Sequence, residues 1–375
     1  MDENVKISSF ELLILLILFT TGTAILVIPS SMTALSNQDA WLSALIGLAG
    51  CAALGYFFVI CSRVMRSETL IQYLERIYGK LIGKMIGAAY VFFSFIGTTT
   101  LLYYFGNFTT TQILTRTPIE LLNLMLAILV MAVVRAGLEV LARTGELLIP
   151  WFMFLFIALS ILLLPKLQLE RISPLYEAGL ADHLAAAYNF MAIAGFPLVV
   201  FLMFIPRNIN RQDRVKWSFF LGTGIGSLIV GVIVLLCILV LGASATARQM
   251  FPGYVLAKTI SLFDIIQRLE SVMASMWILT IFFKTALYFY ACVVGLAQLF
   301  EVKDYRFLVL PLGILAVVFS TVVYPNVSYM TNWDNTYWNS YALIMGFFIP
   351  AVTLLIDKIK NRKKQGRAAN QAPNS

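Results

Sequence analysis

Long apolar stretches separated by short polar connections run through almost the whole chain. A helix needs roughly 20 apolar residues to cross the hydrocarbon core of a bilayer, and about ten stretches reach or approach that length. They begin near residues 9, 40, 85, 119, 146, 185, 217, 271, 307 and 338. The pattern predicts an all-α polytopic membrane protein with about ten transmembrane helices, which we number as spans one to ten.

Two of these stretches are interrupted. Span one contains Thr20-Thr21-Gly22-Thr23-Ala24 and then Pro29, and span six contains Ala194-Gly195-Phe196-Pro197. Hydrocarbon cannot satisfy a free backbone amide, so non-helical backbone at membrane depth is stable only where it lines a protein cavity or contacts a solute. Two broken helices in matching places therefore predict a buried site for a small ligand.

The composition agrees with this interpretation, because 60% of the 375 residues are apolar and only 12% are charged. A soluble fold of this length cannot cover so much apolar surface. No small-residue cleavage site follows the first stretch, from Ser9 to Leu35, so we interpret it as a retained span and not as a leader.

Lysines and arginines predict the orientation, because positively charged loops resist translocation. With a cytoplasmic N-terminus, 20 of them fall in inside segments and 6 in outside segments, so both termini are predicted to be cytoplasmic. The net charge of +8 and the basic tail from Lys358 to Arg367 are compatible with nucleic acid. Orientation and attraction to anionic headgroups explain such a tail better, and no nucleic-acid partner is expected.

Cysteine and histidine offer little chemistry. Cys51, Cys61, Cys237 and Cys292 fall in or at the edge of spans with no paired spacing, and the single histidine, His183, is predicted in an outside loop. No His/Cys metal site and no Ser-His-Asp set can be assembled from these residues. We therefore expect no metal, no cofactor and no enzyme activity.

Spans one to five resemble spans six to ten in spacing and in the position of the break. Five is an odd number, so the second copy would be inverted in the membrane. We predict one transmembrane domain over 1–357, with repeats at about 9–165 and 185–357 and a cytoplasmic tail at 358–375. Apolar residues at helical spacing from Leu70 to Leu81 predict an interfacial helix on the inner face, with an outer counterpart between Pro252 and Ile266.

Lys284 is the only charged side chain within any predicted span, and its central position costs about 3 kcal/mol on insertion scales. Because no carboxylate is expected in the interior of a span, three explanations remain open. The ammonium contacts the carbonyls of the span-one break, or it binds a ligand carboxylate, or the lysine is neutral. Snorkelling toward an interface is a further alternative.

Hydroxyl groups and freed backbone complete the candidate site. Helix ends carry about half a unit charge, so the span-one break suits the ammonium and carboxylate of an amino acid. Each feature also has a structural explanation: glycine allows close packing, proline kinks a helix, Phe196 either covers a solute or packs, and hydroxyls bond their own helix. The candidate ligand-binding residues are Thr20, Thr21, Gly22, Thr23, Ala24, Thr99, Tyr103, Gly195, Phe196, Pro197, Lys284, Thr285 and Tyr288.

The segment from Tyr324 to Tyr341 is rich in Tyr, Trp and Asn. Such residues are typical of the membrane–water interface, and the segment is predicted to be an outer loop before span ten. It also suits a docking surface for partner subunits.

Three motifs resemble those of the spore germination permeases, the B subunits of GerA-type germinant receptors. They are Gly22-Thr23-Ala24-Ile25-Leu26 leading to Pro29, Phe204-Ile205-Pro206 before a basic loop, and Arg268-Leu269-Glu270-Ser271 followed by Trp277. The resemblance extends from about Ser8 to Asp357. It implies the amino acid, polyamine and organocation transporter superfamily, whose fold is a five-plus-five inverted repeat with broken helices one and six.

The resemblance also implies a function. It predicts a receptor subunit that binds a small polar germinant, an amino acid in chemical class, between spans one, three, six and eight. Partners would be an A subunit and a lipoprotein C subunit in the inner membrane of a spore. Lys284 would occupy the place where related transporters bind sodium. The alternative is a secondary active amino acid transporter that uses the same residues.

Overall fold

The computed structural model describes residues 6–205, 207–209, 214–260 and 270–370, with side chains up to residue 362. Its α-helices, in chain order, are α1 Ser9–Thr21, α2 Ala24–Ser36, α3 Ala40–Met65, α4 Leu70–Tyr78, α5 Lys80–Gln112, α6 Ile119–Ala136, α7 Leu138–Leu163, α8 Leu180–Ala194, α9 Val215–Leu241, α10 Ala243–Arg248, α11 Pro252–Lys258, α12 Glu270–Leu299, α13 Arg306–Val322, α14 Val327–Trp333, α15 Asn339–Leu343 and α16 Ile349–Asn370. The 3-10 helices are Asn37–Asp39, Leu164–Lys166, Leu169–Ile172 and Phe196–Met203, and the π-helices are Asp334–Trp338 and Ile344–Phe348.

These helices form the ten predicted spans. Span one is α1 plus α2, span six is α8 plus the 3-10 helix Phe196–Met203, and span ten runs from α14 to α16 through both π-helices. By length and composition, eight helical runs in the described part of the chain are able to cross a membrane, and Ser9–Thr21 and Arg306–Val322 are shorter apolar helices. The prediction of an all-α polytopic membrane protein is confirmed.

Several spans begin earlier than predicted. Span three begins at Lys80, span five at Leu138 and span ten at Val327. Their first turns carry polar residues, which a hydropathy pattern does not count although they continue the helix. Between α6 and α7 the chain turns at Gly137 alone, whose φ of +107° is a conformation that other residues rarely adopt.

The predicted interfacial helix is α4. A capping box between Thr69 and Gln72 starts it, and Leu70, Ile71 and Leu74 are buried. It ends before Gly79, so Leu81, predicted on the same apolar face, belongs to α5 and is exposed. Part of its predicted counterpart is α11, and residues 261–266 lie outside the described part of the chain.

Segments predicted on the same side of the membrane lie together. At one end, Lys80 and Lys84 both pair with Glu301 at 2.9 Å, and the backbone of Ile7 donates to Asn208 O. At the other end, the Asp39 carboxylate accepts from the backbone amides of Tyr176 and Ala178. The first end therefore corresponds to the predicted inner side and the second to the predicted outer side.

Two predictions about single residues are wrong. His183 lies in α8, not in a loop, because that helix begins at Leu180, and its Nδ1 is 2.8 Å from Ser43 Oγ. Asp334 lies two turns inside the span that begins at Val327. The expectation that no span contains an interior carboxylate is therefore incorrect.

Candidate functional site

The break in span one lies against span eight. Gly22 ends α1, and its carbonyl accepts a hydrogen bond of 3.0 Å from Thr280 Oγ1 on α12. A Cβ atom added to Gly22 would lie 2.2 Å from Lys284 Cδ. Glycine at position 22 therefore leaves room for the aliphatic part of the lysine side chain, one helical turn beyond Thr280.

The break in span six follows from Pro197. A proline has no amide hydrogen, so the carbonyl four residues earlier loses its helical partner. That carbonyl belongs to Ile193, and Lys284 Nζ donates to it at 2.9 Å. The neighbouring carbonyl of Ala192 accepts from Trp338 Nε1 at 3.1 Å. Side chains from spans eight and ten thus satisfy the backbone that the break exposes.

Lys284 is 3% exposed and its Nζ lies 5.3 Å from the centre of the Phe19 ring. The sequence suggested the carbonyls of the span-one break as one of three partners. The structure instead pairs the ammonium with the span-six break, while the lysine stem contacts span one. Together with Thr280, Lys284 makes one face of α12 contact both breaks.

A cavity of about 600 Å³, including its opening, lies beside the two breaks. Five spans contribute to it: one, three, six, eight and ten, together with Tyr324. The lining residues are Thr23, Val27, Ser31, Gly97, Thr100, Leu101, Tyr104, Ile193, Lys284, Tyr288, Tyr324, Asp334, Asn335 and Trp338.

Three of the candidate residues line this cavity, namely Thr23, Lys284 and Tyr288. Thr20 instead packs against Gly226 on α9. The Thr21 hydroxyl donates to Ile17 O within its own helix. The remaining candidates are outside the lining: Gly22, Ala24, Thr99, Tyr103, Gly195, Phe196, Pro197 and Thr285.

The residues of span six that do not line the cavity shape its walls. A Cβ atom on Gly195 would lie 2.9 Å from Cys51 Sγ, so this glycine allows close contact with span two. Phe196 is buried against Gly346 of span ten, where a Cβ would lie 2.4 Å from Phe196 O. The break in span six is thus enclosed by spans two and ten as well as by span eight.

The polar residues of span three that line the cavity are each one position after the predicted ones, Thr99 and Tyr103. Thr100 and Tyr104 line the cavity. Thr99 Oγ1 donates to Ile96 O, and the Tyr103 ring packs edge-on against Tyr324 with centroids 5.1 Å apart. Consecutive helical residues point about 100° apart, so a helix rich in adjacent hydroxyls does not reveal its cavity face by composition.

Asp334 is the charged cavity residue that sequence reasoning missed. It lies in the π-helix of span ten, where Tyr104 donates to Oδ2 and Tyr324 donates to Oδ1 at 2.7 Å. The sequence signal that marks this helix is Asn326, whose side chain accepts from the Tyr329 amide and caps α14. Placing residues 324–341 in a loop concealed the carboxylate.

Aromatic rings lie on one side of the cavity and a second space lies on the other. Toward the predicted inner end, Phe201 contacts Phe19 edge-on with ring centroids 5.2 Å apart, and it contacts Phe204 in a tilted arrangement at 5.6 Å. Toward the predicted outer end the cavity continues into a vestibule of about 810 Å³ that shares Tyr104, Asp334 and Asn335 with it. The cavity beside the two breaks therefore adjoins a space on the predicted outer side.

Comparison with known proteins agrees with this architecture. Residues 6–328 match the family described as spore germination protein. Among its relatives is spore germination protein KB of Bacillus subtilis, 28% identical over 329 residues that cover 87% of each chain. Spore germination protein XB of Bacillus anthracis is 23% identical over 257 residues, covering 67% of this chain and 70% of that protein.

Solved transporter structures share the fold. Mhp1, a nucleobase-cation-symport-1 family transporter with bromovinylhydantoin bound, superposes with a TM-score of 0.68 at 14% identity, covering 90% of this chain and 76% of its own. MhsT in complex with L-phenylalanine gives 0.63 at 14% identity, covering 94% and 99%. Because the family match covers most of the sequence, this chain belongs to the spore germination protein family and has a transporter fold.

Proposed function

We propose that this protein is a germinant receptor subunit that binds a small polar nutrient, an amino acid, in the cavity between its two broken helices. The observation that carries the proposal is the position of the Lys284 side chain at the cavity. Its ammonium lies at the cavity wall and the described structure records one acceptor for it, Ile193 O. An ammonium has three N–H donors, so it retains donors for the carboxylate of a ligand.

Ligand binding would act by shifting conformational populations. The cavity adjoins the vestibule on the predicted outer side, and the contacting rings of Phe19, Phe201 and Phe204 lie toward the predicted inner side. A ligand that binds one arrangement of spans one, six and eight more tightly than another favours that arrangement. Because Lys284 donates to the span-six break and its stem packs against Gly22 of span one, a ligand that shifts Lys284 would change the contacts of both helices.

The cellular setting forms part of the proposal. The protein would act with an A subunit and a lipoprotein C subunit in the inner membrane of a spore, with both termini in the cytoplasm. The ligand would leave chemically unchanged. Membership of the spore germination protein family supports this setting.

The test is the germination response of spores that lack this gene and other receptors of the same kind, with the gene restored in a parallel strain. Both strains are exposed to a panel of amino acids, sugars and nucleosides. We expect restoration to return the response to at least one amino acid. Identical responses of the two strains to every nutrient would refute the receptor assignment.

A second candidate function is secondary active transport of an amino acid. The observation that favours it is the fold, which is shared with Mhp1 and MhsT. Uptake of a labelled ligand into vesicles containing the full-length protein separates the two functions. Accumulation against a gradient would establish transport, whereas binding without accumulation would establish sensing alone.

A further inference from the structure

The cavity contains a second charged group, and it has the opposite sign to Lys284. Asp334 lies where span ten forms a π-helix, and it borders both the cavity and the outer vestibule. A carboxylate is costly within a membrane protein, and such residues commonly mark a ligand or ion pathway. Asp334 therefore lies at the junction of the two spaces, with Arg248 in the lining of the vestibule and Lys284 in the lining of the cavity.

Two tyrosines hold this carboxylate in place. Tyr104 of span three donates to one oxygen and Tyr324 donates to the other. Each carboxylate oxygen has two acceptor lone pairs, so both can accept a further hydrogen bond from the cavity. The tyrosines fix the orientation of Asp334 while leaving acceptor capacity for a cationic group.

Asp334 and Lys284 face the same cavity but bond to different partners. The Lys284 ammonium bonds to the Ile193 carbonyl of span six, and the Asp334 carboxylate bonds to the two tyrosines. The described structure records no ion pair between them. The cavity therefore presents one cationic and one anionic pole with space between them.

We infer that Asp334 binds the ammonium group of the ligand, with Tyr104 and Tyr324 as positioning residues, while Lys284 binds its carboxylate. This inference rests on the proposed function and narrows the ligand to zwitterionic amino acids. It also orients the ligand, with the ammonium toward span ten and the carboxylate toward the span-six break. A carboxylic acid or an amine of the same shape would satisfy only one pole.

The experiment measures binding to the full-length protein in lipid nanodiscs. The twenty common L-amino acids are tested first, and the tightest is compared with the carboxylic acid that lacks its amino group and the amine that lacks its carboxylate. We expect each analogue to bind roughly 10- to 100-fold more weakly than the amino acid, because each loses a charge-assisted hydrogen-bonding group.

The Asp334→Asn variant then identifies the ammonium pole. It should bind the amino acid roughly 10- to 100-fold more weakly than the unmodified protein, and the deaminated acid about equally. Tyr324→Phe retains the carboxylate and should lose only about 5-fold. Asp304→Asn, the same change at an exposed aspartate outside the spans, is the matched control and should bind as the unmodified protein does.

The outcomes separate this inference from the proposed function. If no amino acid binds the unmodified protein, the proposed function fails and this inference fails with it. If an amino acid binds but Asp334→Asn binds it equally well, the receptor proposal stands and the assignment of Asp334 is overturned. Equal binding of the amino acid and its deaminated analogue by the unmodified protein would overturn it as well. Circular dichroism of each variant verifies that the helical fold is retained.

Discussion

In span one the helix is interrupted for two residues, Gly22 and Thr23, whereas in span six it gives way to eight residues of 3-10 helix after Gly195. The carbonyl exposed at the first break accepts from a neutral hydroxyl, that of Thr280. The carbonyls exposed at the second accept from the Lys284 ammonium and the Trp338 indole. Both halves contain a broken helix, but different chemical groups donate to the carbonyls that each break exposes.

The difference shows that the two halves meet the same requirement, a hydrogen-bond donor for each exposed carbonyl, in different ways. A buried carbonyl without a partner costs about 1–3 kcal/mol, so each break needs a donor from another span. At span one a hydroxyl is sufficient, and the close approach at Gly22 leaves room for the lysine stem. At span six the donor is charged and reaches the cavity, so this break combines backbone satisfaction with a ligand-binding charge.

The largest expected effect follows removal of that charge. Lys284→Met should leave the Ile193 carbonyl without its donor and remove the cationic pole, so ligand binding should weaken at least 10- to 100-fold, following the roughly 1.5–3 kcal/mol of a charged hydrogen bond. The measurements are the germination response and the amount of protein in the membrane. Lys216→Met, at an exposed lysine, is the control. An unchanged response would show that the span-six break needs no charge.

The next prediction compares substitutions of the two glycines at the breaks, Gly22 and Gly195. Gly22→Ala should force the Lys284 stem to move and weaken ligand binding about 10-fold, in line with the 1–3 kcal/mol cost of overpacking. Gly195→Ala instead meets Cys51 and Leu54 of span two, so it should lower thermal stability similarly but weaken binding only about threefold. Titration of ligand against both variants in nanodiscs tests this order. Equal losses of affinity would mean that the two breaks are equivalent.

A smaller effect is expected at the neutral donor. Thr280→Val retains the size of the side chain but leaves Gly22 O without the hydroxyl, and should lower the free energy of unfolding by about 1 kcal/mol. Thr280→Ser keeps the donor and is the control. Thermal denaturation of the two variants in detergent measures the difference. If valine is tolerated as well as serine, the hydroxyl is not needed to complete the span-one break.

The smallest effect concerns a region remote from both breaks. Hydrogen bonds from Lys80 and Lys84 lower the pKa of Glu301 from its ordinary 4.5 to about 2. A depressed carboxylate pKa stabilises the fold above the unfolded pKa and ceases to do so as the pH falls through the folded one. Melting temperature should therefore be unaffected by this group from pH 8 to 5 and fall slightly between about 4.5 and 2.

Glu301→Gln serves as the reference for that measurement. It should lack this part of the acid-dependent loss and respond to ligand as the unmodified protein does. A change in the ligand response of Glu301→Gln would show that these ion pairs affect the cavity although they do not line it.

Sequence reasoning located the elements of the fold better than it located the site. The ten spans, both breaks and the interfacial helix follow from apolar runs, glycine and proline, which are local signals. The hydrogen-bond partner of Lys284 does not follow from local signals, because the Ile193 carbonyl is 91 residues away along the chain. Thr100 and Tyr104 were missed in favour of Thr99 and Tyr103 because the rotation of span three depends on what packs against it.

The division between sequence and tertiary structure has a simple physical origin. By itself the sequence determined that the chain is a bundle of membrane helices and that spans one and six are broken, because the bilayer requires apolar length and proline removes an amide wherever it occurs. Only the tertiary structure decided which side chains satisfy the freed carbonyls and which charges share a cavity. Asp334 and Lys284 lie in spans ten and eight, with α13 between them along the chain, and they share a cavity because five spans pack around it. Hydrogen bonds in such a cavity depend on distances that no local pattern encodes.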